Sequence, residues 1–89
     1  MPTRELRLIN RRGLHARAAT KLVQCCQPFA VRVAVHHGER RADAANIMSL
    51  LMLAAPCGTD LIVVTDGDDA DAAMEAITEL FEARFHEDE

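Results

Sequence analysis

Arg12-Gly13-Leu14-His15-Ala16-Arg17-Ala18-Ala19 is the stretch around which this chain is organised. A glycine loosens the backbone, a histidine follows, and an apolar rhythm starts directly after it. Ala19, Leu22, Val23 and Cys26 recur at helical spacing, while Arg17, Thr20, Lys21 and Gln24 fall on other faces. His15 is therefore expected at or just before the first turn of a helix. The first backbone N–H groups there have no intrahelical partner, and the macrodipole adds partial positive charge. Such a place favours an anion. An imidazole nitrogen that accepted a phosphoryl group would hold the new anion against those donors, with Arg17 close by to bind its oxygens. A lone histidine at a helix start is more often a cap or a surface residue; the glycine before it and the arginine after it favour chemistry.

Working outward, residues 4–9 alternate, with Leu6 and Leu8 on one face and Arg4 and Arg7 elsewhere, so a first strand is expected there. Residues 10–13 form the loop into His15. The first helix is expected over 16–27, where Pro28 stops it. Phe29, Val31, Val33 and Val35 then alternate with Ala30, Arg32 and Ala34, the strongest period-2 signal in the chain. His37-Gly38 reads as a tight turn into a short strand over 39–43. His36 and His37 would face opposite sides of the hairpin as surface residues, not metal ligands. Asn46 suits the N-cap of a short helix over 47–53. Pro56-Cys57-Gly58 is a turn, 61–65 a branched central strand, and 69–84 the last helix, with Ala70, Ala73, Met74, Ile77, Leu80 and Phe81 inward. That order is α+β, with helices on one face of a four-stranded, mainly antiparallel sheet.

The short helix carries Ile47, Met48, Leu50, Leu51, Met52 and Leu53 and is apolar on nearly all sides. It is expected both to enter the core and to show a docking patch, where methionines adapt to more than one partner. The acidic run Asp66 to Asp71 is not a calcium loop, because the twelfth position counted from Asp66 is Ile77. Acidic residues at a helix start account for it. Glu87-Asp88-Glu89 reads as a solvated tail.

Eighty-nine residues, 49% of them hydrophobic, make one packed domain over 1–89 with little room for a deep cleft, so chemistry is expected at the surface. No signal peptide is expected. The longest largely apolar run, 47–55, is far short of the ~20 residues that span a bilayer. A cytoplasmic chain without membrane insertion follows. Cys25, Cys26 and Cys57 lack metal-type spacing and read as reduced thiols, and a zinc site built with His36, His37 or His86 finds little support. Residues 1–45 carry nine Lys/Arg against three Asp/Glu, or +6, and residues 46–89 one against eleven, or −10. The basic half surrounds His15 and would steer an acidic partner to it. With no Trp or Tyr and three Phe, no stacking platform for nucleic acid is evident. No Walker-type phosphate loop is present. A histidine at a helix start without a nucleotide site fits a residue phosphorylated by another protein.

Gly13-Leu14-His15-Ala16-Arg17, followed by Asn46-Ile47-Met48, resembles the histidine-containing phosphocarrier (HPr) family of the bacterial phosphoenolpyruvate-dependent sugar phosphotransferase system, over essentially the whole chain. The resemblance implies a βαββαβα open-faced sandwich with three helices on one face. It implies that His15 takes a phosphoryl group on Nδ1, as pros-phosphohistidine, from Enzyme I and passes it to an EIIA-type domain. Arg17 and the first amides of the helix, Ala16 included, would stabilise the group. Thr20, Lys21, Ile47, Met48, Leu51 and Met52 would form the docking surface. No cofactor and no metal are implied, and the chain is expected to be a monomer. Two positions depart from many relatives. Ala18 stands where they have proline, and Asn46 stands where they have a regulatory serine, so that control is not expected here; Ser49 reads as an ordinary helix residue. The competing readings are a nitrogen-related regulatory phosphocarrier, a docking regulator without phosphotransfer, and a small metal-binding protein.

Overall fold

Alternation and helical spacing resolve into β1 (Thr3–Arg7), α1 (Ala16–Cys26), β2 (Arg32–His37), β3 (Arg40–Asp43), α2 (Ile47–Leu51), β4 (Asp60–Asp66) and α3 (Ala70–Glu82). The structure is a computed structural model and describes residues 1–87. The strands form one sheet in the order β1-β4-β2-β3, and every neighbouring pair is antiparallel. β4 is thus interior, as its branched residues predict, with Leu61, Val63 and Thr65 buried on one face. Leu6, Val33, Val35 and Ala42 point to the same side. They meet Leu22 of α1, Leu50 of α2 and Ile77 of α3 in one core, so the three helices cover one face and leave the other open. No helix among the described residues is long and apolar enough to cross a membrane.

The buried residues of α3 are the six that helical spacing selects: Ala70, Ala73, Met74, Ile77, Leu80 and Phe81. α3 stops at Glu82, two residues earlier than the pattern predicts, because Arg84, Phe85 and His86 take positive φ angles of 54–58°. β1 ends at Arg7, although Leu8 continues inward through bonds with Thr59 O at 2.9 Å and Gly58 N at 2.7 Å. Arg4 shares the inner face with Leu6 by strand parity, and its guanidinium reaches Thr78 Oγ1 at 2.8 Å and Glu75 Oε2 at 3.1 Å on α3.

The alternation from Phe29 onward becomes strand only at Arg32. Ala30 is diverted. Its N–H donates to Asp69 Oδ2 at 2.7 Å, and its carbonyl accepts from Asp69 N at 3.2 Å. Gly67 lies against the same carbonyl, so closely that a Cβ would stand 2.6 Å from it. Asp69 is therefore not the side-chain cap of α3 that the acidic cluster implied; its carboxylate is spent on Ala30. His37 also departs from a plain surface role. It is the last residue of β2, half-buried, and its Nδ1 pairs with Leu53 O at 2.8 Å. With Arg40 donating to Met52 O at 3.1 Å, it satisfies carbonyls at the end of α2 that the helix leaves open.

Cys25, Cys26 and Cys57 are free thiols. Burial, with the neighbouring Cys25 and Asp43, pushes the Cys26 thiol up to about 12. Among the described residues no three His, Cys, Asp or Glu side chains cluster as a metal site.

Candidate functional site

Gly13 begins the site. It has φ +68°, a left-handed value, and a Cβ on it would stand 2.5 Å from Ala55 O and 2.8 Å from Pro56 Cα. Only glycine satisfies both conditions. Leu14 is then buried, with its N–H on Ala55 O at 2.9 Å, which pins the chain one residue before His15.

His15 is the N-cap of α1. Its backbone is extended (φ −91°, ψ −178°), its carbonyl accepts the first intrahelical bond from Ala19 N at 2.8 Å, and its ring Nδ1 accepts from Arg17 N at 3.3 Å. The ring therefore lies over the orphan N–H groups of the first turn, where partial positive charge collects. No acidic side chain stands in that turn to compete for it. Ala16 is exposed as the first helical residue. Arg17 reaches His15 through its backbone amide, and its side chain is exposed beside the site.

The other ring nitrogen, Nε2, contacts the Glu87 carboxylate. An ionised carboxylate only accepts hydrogen bonds, so Nε2 carries the proton and Nδ1 presents its lone pair. Glu87 is held in turn: its Oε1 accepts from Asn10 Nδ2 at 3.1 Å, and the same Nδ2 donates to Gly13 O at 2.7 Å. Two acceptors fix which way the Asn10 amide points. Asn10 is fully buried, and its side chain closes the loop that carries the histidine. The Glu87 side chain is 9% exposed. Burial pushes its carboxyl up, but the hydrogen bonds from Asn10 and His15 and the charges of His15 and Lys21 outweigh that, and the net shift is downward.

The segment that delivers Glu87 is the left-handed turn Arg84–His86. Three non-glycine residues there cost about 1–2 kcal/mol each, or about 3–6 kcal/mol together. Phe85 is wholly buried against Phe81, with ring centroids 5.0 Å apart, and Lys21 Nζ donates to its carbonyl at 2.5 Å. Side-chain burial contributes about 1.5–3 kcal/mol, the ring pair about 0.5–1.5 and a charged hydrogen bond about 1.5–3. These contributions offset the strain. Glu87 is thus an anchored residue and not part of a solvated tail; Asp88 and Glu89 lie outside the described residues.

Sequence reasoning missed Glu87 as the partner of His15, and Asn10 and Phe85 as residues that hold Glu87 in place. Phe85 carried a signal, since it lies four residues after the buried Phe81 and is the sole apolar residue between Arg84 and the acidic end. The expected docking residues lie on α1, which His15 caps, and on α2 with its C-cap residue, which packs against α1. Met48 on α2 and Met52, the residue that caps its C-terminus, are 67% and 72% exposed, Ile47 and Leu51 are half-buried, and Leu50 is inside. Thr20 and Lys21 on α1 are half-buried, with the Thr20 hydroxyl on Ala16 O at 2.8 Å. Asn46 caps α2, its Oδ1 accepting from Ser49 N at 3.1 Å.

A family model described as "PTS HPr component phosphorylation site" matches residues 2–83. A phosphocarrier protein HPr of Xylella fastidiosa is 45% identical over 84 residues, covering 94% of this chain and 94% of the relative. A phosphocarrier protein NPr of Shewanella violacea is 42% identical over 84 residues, covering 94% and 92%. Among solved structures, HPr-C-His from Thermoanaerobacter tengcongensis superposes over the whole of both chains with a TM-score of 0.94 at 29% identity.

Proposed function

The chain belongs to the HPr phosphocarrier family of the phosphotransferase system, and from that premise we propose that His15 is its phosphoryl-accepting residue, in a single domain over 1–89. The observation that carries the reading is the cap geometry: Nδ1 of His15 faces the amide of Arg17 at the start of α1. The Nδ1 lone pair forms a bond to phosphorus while the donor's bond to phosphorus breaks, its electron pair returning to the donor. The first amides of α1, from Ala16 and Arg17, and the exposed Arg17 guanidinium then meet the phosphoryl oxygens. A charged hydrogen bond is worth about 1.5–3 kcal/mol and a helix end about 0.3–1. That is enough to hold the group and too little to trap it.

The proposed donor is phosphorylated Enzyme I, charged by phosphoenolpyruvate, and the proposed acceptor is an EIIA-type domain. Both would dock on Thr20 and Lys21 of α1, on Ile47, Met48 and Leu51 of α2, and on its C-cap Met52. The exposed Met48 and Met52, carried by a segment that packs against α1, support that surface. A cytoplasmic monomer without cofactor or metal is the proposed working form. Relatives named HPr and NPr match at similar identity, so sugar transport and nitrogen-related regulation are separated by which EIIA-type domain discharges the protein. The test is intact mass after incubation with phosphoenolpyruvate and Enzyme I. The reading predicts one acid-labile phosphoryl adduct, absent from His15→Ala and removed by the cognate EIIA. No adduct on the wild-type chain contradicts it and favours a docking regulator.

A further inference from the structure

We propose that Glu87 is a positioning residue for phosphoryl transfer: its carboxylate holds the Nε2 proton of His15, which keeps the Nδ1 lone pair free and aimed at the helix start. The inference rests on the function proposed above and deepens it. It concerns a residue beyond the segment 2–83 that the family model matches.

Three observations carry it. The Glu87 carboxylate meets Nε2 with one oxygen and the Asn10 amide with the other, so both its oxygens are committed and its position is fixed from two sides. Its side chain is almost wholly withdrawn from water, at 9% exposure, so solvent competes little for the contact. The backbone that brings it there runs through three successive left-handed residues, pinned by the buried Phe85 and by Lys21 on the Phe85 carbonyl. Strained conformations persist where surrounding contacts over-determine them. An acidic residue that served only solubility would need none of this.

The chemical consequence follows from the inventory of the ring. A neutral imidazole carries one N–H, on either nitrogen, and the nitrogen that bears it cannot attack phosphorus. Glu87 assigns the proton to Nε2. When Nδ1 bonds to phosphorus and the donor's bond breaks, Nε2 keeps its proton. The ring becomes cationic between the phosphoryl oxygens and the Glu87 carboxylate. On the onward transfer the Nδ1–P bond breaks, its pair returns to Nδ1, and again no proton has to move. Both steps run on a ring held in one tautomer and one orientation.

The test reads the ring before any phosphoryl group is present, so its failure is distinct from failure of the proposed function. Ring nitrogen and N–H signals of His15 are recorded by nitrogen-15 NMR at a pH of about 8, above the ordinary histidine range, for the wild type, Glu87→Gln and Glu87→Ala. The wild type is expected to show an Nε2–H signal that exchanges slowly with water. Exchange is expected to be at least about tenfold faster in both variants, with the backbone spectrum of the sheet unchanged; a contact to an ionised acceptor is of that strength. Phosphoryl acceptance is expected to slow about three- to tenfold with the donor KM unmoved, as for loss of an interaction that aligns the reacting group. Wild-type ring shifts and exchange in Glu87→Ala would overturn the proposal. Wild-type exchange in Glu87→Gln would overturn it as well, since Gln keeps the shape and loses the ionised acceptor.

Discussion

The N-termini of α1 and α2 are built to one plan and finished differently. Each begins on an extended residue whose side chain accepts a backbone N–H of the first turn: His15 from Arg17 N at 3.3 Å, Asn46 from Ser49 N at 3.1 Å. Asparagine is among the favoured residues for this task, and its side chain bonds within its own helix turn, to Ser49 N. Histidine is not a favoured cap, and its ring is held from behind. Glu87 sits on Nε2, Asn10 holds Glu87, and Gly13 lets the loop approach Ala55. A cap that only closes a helix needs one hydrogen bond. A cap that must also offer a lone pair in a set direction needs its other nitrogen occupied.

The two caps are separated most sharply by substitution. His15→Ala should abolish the phosphoryl adduct altogether, measured by intact mass, and cost about 1–2 kcal/mol of stability, because it removes both the long cap bond and the contact with Glu87. Gly13→Ala should be the largest stability loss of the set. A left-handed alanine costs about 1–3 kcal/mol, and its Cβ would meet Ala55 O, so a loss of about 2–4 kcal/mol is expected in denaturant melts. Asn46→Ala should behave oppositely to His15→Ala, losing about 1 kcal/mol and keeping full phosphoryl acceptance. Equal loss of acceptance in Asn46→Ala would erase the distinction between the caps. The smallest effect is on pH. The Glu87 carboxyl is lowered in the fold, so the contact contributes stability above the ordinary glutamate range and loses it as pH falls through the lowered value. The stability difference between wild type and Glu87→Gln should be present at neutral pH, begin to shrink as pH falls through the ordinary glutamate range, and vanish only below the lowered value of Glu87.

The two caps also mark what was legible in the sequence. Both were read from local signals: a hydrogen-bonding side chain just before an apolar helical rhythm. The sheet and the buried face of α3 were read the same way, because period-2 and period-3.6 patterns report which side chains face the core. What escaped were contacts between segments distant in the chain. Asn10 and Glu87 meet across 77 positions, and no period links them. The diversion of Ala30 from the β2 pattern by Asp69 is of the same kind, a polar contact overriding a local preference. Glu87 also lay beyond a helix whose end was placed two residues late. A left-handed turn of Arg84, Phe85 and His86 contains no glycine or asparagine to announce it.

The central claim is that His15 acts through Nδ1 while Nε2 is held. It is tested most directly by preparing the nitrogen-15-labelled protein in its phosphorylated form and locating the phosphorus–nitrogen coupling on the ring. Coupling of phosphorus to Nδ1 of His15, with the proton retained on Nε2, is the predicted result. Phosphorus on Nε2, or on a residue other than His15, would contradict the account.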